Sequence, residues 1–538
     1  MSFSSSSSLQ WLSLVATIWL QIFNGPNTDF PVYSSELKDL KSISQVGINF
    51  LAFASDAGKL FGWFSGLAAI YLPPWSVAAT GAALGLLGYG LQFLLLDHPK
   101  FSYAHIFALT AVAGNGICWI NTACYLVCIK NFAADSRRVA VGLSTSYVGL
   151  SAKVFTVMAG AIFYRKSHHK AKHYLLLNSI APVLVSLIVA PFMRFILPCK
   201  SVSNLSLGFI AMFTITLATG ISAIIGTIGS TSQGFAREYS LSLGVLLASP
   251  LVVPVAMKFK HAMEETLRNE KENRIHDLDD AETGEIIEDL QVKEEDDDKE
   301  ESEEGVGGVQ ILRKVDFWLY FSSYLFSATL GLVFLNNLGQ IAESRGLPRE
   351  ETSTLVSLSS SFGFFGRLFP FLIDYYSSKS YVISRPASMA TLMAPMAVAF
   401  FVLSNPTRLS LYMSTAVIGA FTGAITSIAV SATTELFGTK HFGINHNIVV
   451  ANIPLGSFVF GYLAALLYQR GSEEGSRSCR GTACYGKTFL IWGTTCSLGS
   501  LLCTILSSIN YEMVVRTPVK LSLDLCRNLE RNLTDIDM

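Results

Sequence analysis

The sequence predicts an all-α polytopic membrane protein. Of its 538 residues, 51% are hydrophobic and only 15% are charged, whereas a soluble domain carries about 25% charged residues. Apolar runs of roughly 20 residues, long enough to cross a bilayer, recur between Trp11 and Ser508. Because backbone polar groups inside a bilayer must be paired within closed structures, we expect these runs to be helices. The composition also excludes a collagen, a wholly disordered chain and a small disulfide scaffold.

Fourteen runs are long and apolar enough to be spans. Eight precede an acidic segment, and they are Trp11–Tyr33, Ser42–Ile70, Trp75–Leu96, Ser102–Ile129, Val139–Tyr164, Tyr174–Leu197, Leu205–Ile228 and Leu241–Met257. Six follow it, and they are Val315–Ile341, Thr352–Tyr375, Pro386–Leu403, Leu409–Thr433, Gly443–Tyr468 and Thr488–Ser508. The two runs before the acidic segment are the weakest predictions, so twelve spans is the alternative count.

This pattern divides the chain into six parts. They are a cytoplasmic N-terminal tail (1–10), a first six-helix bundle (11–200), two linking spans (201–257), an acidic loop (258–312), a second six-helix bundle (313–510) and a cytoplasmic C-terminal tail (511–538). The first run is interpreted as a span rather than a cleaved signal peptide, because the serine tract before it contains no Lys or Arg.

The acidic loop carries most of the charge asymmetry. Residues 258–311 contain 20 acidic and 7 basic residues. With few apolar side chains, the loop is expected to be disordered, either as a solvated tether, which is favoured, or as the binding site of a regulatory partner. The basic excess elsewhere is spread over short loops, which indicates membrane orientation, with the N-terminus in the cytoplasm, rather than nucleic-acid binding.

The cysteines and the recognisable motifs exclude several classes of function. Cys479 and Cys484 lie in one short polar loop and are predicted to form a disulfide if that loop faces an oxidising compartment. No zinc-type Cys/His spacing, phosphate-binding loop or nucleophile–base motif occurs. We therefore expect no metal, no cofactor, no ATP-driven transport and no enzymatic activity.

Ionisable residues within the predicted spans are candidate functional groups, because burying them in a bilayer is costly. Asp29 lies between Gly25-Pro26 and Pro31, where helical hydrogen bonding is weakened. It is either a proton- or cation-coupling carboxylate or, slightly favoured, a residue capping a helix end. Asp56 and Lys59 share one helix face. A structural ion pair is favoured there over attraction of an anionic substrate by Lys59.

The remaining candidates also have two interpretations each. Lys153 either neutralises a substrate carboxylate in the cavity or, favoured, pairs with an acid such as Asp56. His446 is a candidate proton relay, because histidine titrates near neutral pH, although a capping role is favoured. The amides of Asn121, Asn336 and Asn337 line a cavity or, favoured, join helices.

A motif of the second half resembles a transporter signature. Gly363-Phe-Phe-Gly366-Arg367-Leu-Phe-Pro-Phe-Leu-Ile-Asp374, followed by Arg385, resembles the Gly-x-x-x-Asp-x-x-x-Arg signature of the major facilitator superfamily. Gly366 would allow close helix approach. Asp374 would pair with Arg385 as a conformational latch, and Arg367, near the span end, would snorkel or join the same network. The matching first-half segment, Gly66–Trp75, lacks the Asp and the Arg.

Longer strings identify a narrower family. Asn24–Ser35, Gly331–Gln340 and Glu435–Gly443 resemble the plant nodulin-like family, which includes proteins named for a nuclear fusion defect. The resemblance implies a major facilitator fold of two six-helix bundles, here with about two extra linking helices, but it does not name a substrate.

We therefore predict a secondary active transporter that moves a small solute by alternating access between the two halves. Lys59 and Lys153 favour a small organic anion, and Asp29 or His446 would provide proton coupling. The alternatives are an uncoupled facilitator and a membrane sensor or scaffold that signals through the acidic loop. We expect a monomer in the lipid bilayer of the plasma membrane or the vacuolar membrane.

Overall fold

The structure, a computed structural model, describes residues 3–163, 169–196, 202–228, 233–279, 307–377, 384–471 and 479–509. Regular secondary structure in these ranges is helical throughout, with no strand. The predicted all-α fold is therefore confirmed. The core of the acidic loop, residues 280–306, and the C-terminal tail from residue 510 lie outside the described residues.

Each of the fourteen predicted segments contains helix. The first half consists of spans 1 to 6. They are span 1 (Phe3–Ile22 and Phe30–Leu40), span 2 (Gln45–Gly58 and Trp63–Tyr71), span 3 (Pro74–Gly85 and Leu91–Leu95), span 4 (Tyr103–Asn131), span 5 (Ala134–Ile162) and span 6 (Lys170–Val189). The linking spans are span 7 (Val202–Ile228) and span 8 (Gln233–Ala248 and Val252–Asp279).

The second half contains six further spans. They are span 9 (Val315–Leu325 and Ala328–Ser344), span 10 (Arg349–Ser377), span 11 (Arg385–Val402), span 12 (Arg408–Phe437), span 13 (Phe442–Val450 and Asn452–Arg470) and span 14 (Gly486–Ile509). Five spans separate residue 307 from residue 479, so the two residues lie on opposite membrane faces. We call the face at residue 479 the outer face and the face at residues 279 and 307 the inner face.

Eleven helices in the described part of the chain are long and apolar enough to cross a membrane. Spans 1, 2 and 10 are the other three. Spans 1 and 2 are each broken into two shorter helices, and span 10 is one 29-residue helix with five serines between Ser353 and Ser361. Polar residues and helix breaks therefore lower the apolar signal of these three spans.

The break in span 1 has a local cause. Its first helix ends at Ile22 and its second begins at Phe30, with Pro31 in the first turn. Proline lacks a backbone N–H, so it is tolerated at a helix start and disruptive within a helix. Gly25-Pro26 lies in the unwound segment between the two helices, which also carries Asn24, Asn27 and Asp29.

The two halves meet along two pairs of spans. Span 5 packs along span 10, and span 2 packs along span 13. Linking spans 7 and 8 lie beside spans 1, 5 and 10, so they touch both halves. The indole Nε1 of Trp19 in span 1 donates to the Leu247 carbonyl in span 8, at 2.8 Å. The linking spans therefore pack against the body formed by the two halves.

Two expected boundaries differ from the structure. The first helix begins at Phe3, not at Trp11, and Gln10 Nε2 donates to the Asn131 carbonyl at 2.6 Å, which places the end of the serine tract against span 4. Span 8 continues to Asp279, whereas we expected disorder from residue 258. Glu264 and Arg268 are spaced as i and i+4, a spacing that supports helix in a charged sequence.

Candidate functional site

A cavity of about 110 Å³ lies between the two halves. We call it the central cavity. Spans 1, 2, 4 and 5 line it from the first half, and spans 9, 10, 12 and 13 line it from the second. Its ionisable wall residues include Lys59, Arg367 and His446, and no carboxylate occurs among the described residues that line it. Among the described residues, the wall therefore presents basic side chains and no acidic one.

Lys59 forms a buried ion pair behind the wall. Its Nζ is 2.6 Å from Oδ1 of Asp56, and both side chains are almost fully buried. The second carboxylate oxygen of Asp56 accepts a hydrogen bond from the Ser457 hydroxyl of span 13. The pair therefore connects the wall of the central cavity to the contact between spans 2 and 13.

Arg367 lies deeper than its sequence position indicated. Span 10 continues ten residues beyond it to Ser377, about 15 Å at 1.5 Å per residue. Its side chain therefore reaches the central cavity instead of snorkelling at a span end. Nη1 donates to the Gly363 carbonyl at 3.2 Å, and no carboxylate in the described ranges forms an ion pair with it.

His446 and Asn447 line the central cavity together. The His446 ring stacks on Phe442 at 5.1 Å between ring centroids, and its Nδ1 is 3.1 Å from Thr433 Oγ1. Asn447 Nδ2 donates to Thr122 Oγ1 across the interface between the halves, at 2.9 Å. The sequence indicated His446 as a candidate but not Asn447, because Thr122, the hydrogen-bond partner of Asn447, is 325 residues away in the chain.

Asn121 also lines the central cavity. Its Oδ1 accepts a hydrogen bond at 2.9 Å from Nδ2 of Asn24, which lies in the unwound part of span 1. The amide therefore has both roles that were considered for it, lining the cavity and joining two spans.

Asp29 lies outside the central cavity, fully buried at the start of the second helix of span 1. Its Oδ1 accepts a hydrogen bond from Asn178 Nδ2 at 3.2 Å, and its Oδ2 has no hydrogen-bond partner. No cation in the described part of the chain pairs with it. An unpaired carboxylate in such a place is costly in its charged form.

A void of about 10 Å³ lies between this region and the ion pair. Tyr33, Tyr89, Ser55, Asp56 and Asn336 are among the residues that line it. The volume is about that of one water probe. The void therefore has room for at most about one water molecule beside Asp56.

Two further candidates, Asn337 and Lys153, do not line the central cavity. Asn337 is near the outer face, where its Oδ1 accepts hydrogen bonds from Asn49 Nδ2 at 2.9 Å and from Tyr485 Oη at 3.3 Å. Lys153 meets neither expectation, because its Nζ lies 5.3 Å from the Tyr239 ring centroid in span 8, away from the central cavity and from Asp56.

The structure describes part of the expected latch. A Cβ on Gly366 would overlap the Ala420 carbonyl, so this glycine allows spans 10 and 12 to pack closely. Arg385 pairs with Glu435, at 3.8 Å between Nε and Oε2. The Asp374 side chain lies outside what the structure describes. At the outer face, Cys479 and Cys484 form a disulfide.

This arrangement of two helical halves around a cavity is shared with solved transporters. The major facilitator superfamily proton:xylose symporter XylE, bound to 6-bromo-6-deoxy-D-glucose, superposes with a TM-score of 0.54 at 12% identity, covering 92% of this chain and 95% of that chain. A partially occluded inward-open conformation of XylE from E. coli gives a TM-score of 0.52 at 12% identity, with 92% and 97% coverage. The fold is that of the major facilitator superfamily, and the protein is an integral, multi-pass membrane protein.

Sequence comparison gives the family. The Nodulin-like family matches residues 10–258, and the family described as NFD4, C-terminal domain, matches residues 301–514. Protein NUCLEAR FUSION DEFECTIVE 4 of Arabidopsis thaliana is 35% identical over 518 residues, covering 91% of this chain and 87% of the relative. The chain belongs to this nodulin-like family, as its motifs predicted. Probable transporter MCH1 of Yarrowia lipolytica is 28% identical over 195 residues, covering 33% of this chain and 39% of the relative.

Proposed function

We propose that the protein is a proton-coupled secondary transporter of a small organic anion. The observation that carries this proposal is the charge of the central cavity, whose wall presents Lys59 and Arg367 and, among the described residues, no carboxylate. Arg367, which has no carboxylate partner among the described residues, favours an anionic ligand, because the ligand supplies the missing countercharge. Arg367 suits a carboxylate in particular, since a guanidinium offers two parallel donors.

Substrate binding would act on the ion pair. An anion that approaches Lys59 competes with Asp56 for the ammonium group. Asp56 also accepts the hydrogen bond from Ser457. A weaker ion pair at the Asp56 carboxylate would therefore alter the contact between spans 2 and 13. Substrate occupancy would in this way change the relative stability of the two access states.

Contacts between the halves lie on both sides of the central cavity. Towards the outer face, Ser35 Oγ donates to Glu343 Oε1 at 3.0 Å, and Asn49 Nδ2 donates to Asn337 Oδ1. Towards the inner face, span 2 meets span 13 at Gly66, where an added Cβ would lie 2.5 Å from the Gly443 carbonyl oxygen. Alternating access would open these two sets of contacts in turn.

Asp29 is the proposed proton-coupling group. Its buried carboxyl has no cationic partner in the described ranges, so closure of the surrounding spans favours the protonated form. Exposure to water on opening would favour release of the proton. Tyr33 and Tyr89 line the void next to Asp56, and Asn27 lines both this void and the central cavity. The cavity residue His446 is the alternative proton carrier.

The test is internal pH in proteoliposomes of the purified full-length protein, read with a trapped dye while small carboxylates are added outside. We expect substrate-dependent acidification in the wild type and its loss in Asp29→Asn. In Arg367→Gln we expect acidification only at about tenfold or more higher substrate concentration. Labelled-carboxylate uptake without acidification in the wild type would support the uncoupled facilitator. Absence of flux for every carboxylate would contradict the anion proposal. If removing residues 280–306 abolished the cellular phenotype without affecting flux, the sensor interpretation would be favoured.

We further propose residence in the plasma membrane or the vacuolar membrane. The Cys479–Cys484 disulfide supports this, because disulfides form along the secretory route. Imaging a fluorescent fusion against membrane markers tests the proposal, and a mitochondrial location would contradict it.

A further inference from the structure

A second and larger cavity, of about 310 Å³, lies at the outer face and entirely within the second half. We call it the outer cavity. Its walls come from the outer ends of spans 9 and 11, the loop after span 11, the disulfide loop and the start of span 14. It shares no lining residue with the central cavity. Its volume is at the lower end of the range for small-molecule sites.

Two arginines give the outer cavity its charge. The Arg345 guanidinium donates to the carbonyls of Leu403, at 2.5 Å, and Thr407, at 3.2 Å, and to Ser410 Oγ at 3.1 Å. These neutral acceptors hold the side chain in place without cancelling its charge. Arg480 is exposed in the disulfide loop and forms no ion pair with a described residue.

Other wall groups define the rest of the ligand. The described wall contains no carboxylate, and Ser404 contributes a buried hydroxyl that has no hydrogen-bond partner. Leu403, Pro406 and Phe489 supply an apolar surface. A positive, partly apolar wall with an unused polar group fits an anion that carries an apolar or aromatic group.

One wall residue connects the outer cavity to the contact between the halves. Burial raises the pKa of Tyr485 well above its ordinary value, so the hydroxyl stays neutral and can donate. Tyr485 Oη donates to Asn337 Oδ1 at 3.3 Å. The same oxygen accepts the hydrogen bond from Asn49 of the first half, at 2.9 Å. A ligand that moves Tyr485 therefore changes an outer contact between the halves.

We propose that the outer cavity is a regulatory site for a small organic anion such as an aromatic carboxylate, and that its occupancy alters the stability of the outer gate through Tyr485 and Asn337. Arg345 and Arg480 neutralise the carboxylate, Ser404 hydrogen-bonds with it, and Phe489 contacts the apolar group. The outer cavity is separate from the central cavity, which is the proposed site of the transported anion. The proposal of a regulatory site therefore does not depend on which substrate is transported.

The first test is isothermal titration of the purified full-length protein with benzoate. We expect saturable binding that weakens by about tenfold or more in Arg480→Gln and in Arg345→Gln, as for loss of a charge-assisted contact. Lys487→Gln is the matched control, because Lys487 is an exposed cation near the disulfide loop that does not line the outer cavity. Arg480→Gln leaves the hydrogen bonds of Arg345 intact, so it tests the site even if Arg345→Gln fails to fold.

The results separate the outer cavity from the central cavity. Binding that survives Arg367→Gln and is lost in Arg480→Gln supports the proposal. Binding lost in Arg367→Gln but unchanged in Arg480→Gln would assign benzoate to the central cavity and overturn the proposal. Absence of saturable binding to the wild type up to millimolar benzoate would overturn it as well.

The coupling is tested by the reactivity of Cys118, a native thiol that lines the central cavity. A membrane-impermeant maleimide is applied from the outer face in the Arg367→Gln background, and labelling is read by peptide mass spectrometry. We expect benzoate to change the labelling rate at least about threefold, and Tyr485→Phe to retain benzoate binding but lose this response. An equal response in Tyr485→Phe, or no response in either protein, would overturn the coupling.

Discussion

The ammonium group of Lys59 lies 2.6 Å from one oxygen of Asp56, and the other oxygen accepts a hydrogen bond from Ser457 in the opposite half. Lys59 also lines the central cavity. One buried ion pair thus touches both the proposed substrate site and a contact between the halves. Coupling between substrate and conformation requires such an element, whose interactions differ between states.

Neutralising one partner of this pair should be more harmful than neutralising both. In Asp56→Asn, Lys59 loses its only carboxylate partner among the described residues, and breaking a buried pair costs about 3–5 kcal/mol. We expect a lower melting temperature for Asp56→Asn, partial recovery in Asp56→Asn/Lys59→Gln, and loss of transport in both. Equal melting temperatures for the single and double variants would show that the pair is not a buried unit.

Arg367 should determine substrate affinity more than stability, because no described carboxylate depends on it. We expect Arg367→Gln to raise the KM for the transported anion by about tenfold or more, with a smaller effect in Arg367→Lys, which keeps the charge but loses the fork of donors. The control is Arg408→Gln, an exposed arginine paired with Glu351. A similar KM for Arg367→Gln and Arg408→Gln would contradict an anion site at Arg367.

Gly149 should control the approach of spans 5 and 10. A Cβ at this position would lie 2.6 Å from the backbone nitrogen of Phe364 and 2.8 Å from Nη1 of Arg367. Gly149→Ala must therefore separate the two halves locally, and we expect lower stability and loss of transport.

Gly160→Ala in the same span is the matched control, since nothing lies within 4 Å of its added Cβ. Alanine is favoured over glycine in a helix by about 1 kcal/mol, so we expect Gly160→Ala to be neutral or slightly stabilising. Thermal unfolding and uptake distinguish the two variants. Comparable losses in both would indicate a general effect of substitution in span 5.

The disulfide should stabilise the outer end of the second half. Cys479 and Cys484 enclose a short loop that contributes Arg480 and Gly481 to the outer cavity. We expect a reductant to lower the melting temperature of the wild type by a few degrees and to weaken benzoate binding, since a closed loop is ordered in advance. The Cys479→Ser/Cys484→Ser variant should behave like the reduced wild type and show no further response. A reductant effect that persists in this variant would exclude the disulfide as its cause.

The sequence alone determined the features that depend on residues close together along the chain. Apolar runs predicted helix in all fourteen spans, because a bilayer leaves the backbone no other way to pair its polar groups. The spacing of Asp56 and Lys59 placed them on one helix face, and they are in contact in the structure. Motifs distributed over both halves identified the family before any fold was known.

Only the tertiary structure decided which polar groups face the central cavity. Arg367 faces it from within span 10, which continues ten residues past this arginine, whereas Lys153, also within a predicted span, turns towards Tyr239 in a linking span. Ser457 meets Asp56 across 401 residues of chain. The depth and rotation of a helix are set by packing against distant segments, so the local pattern could name the candidates but could not assign their partners.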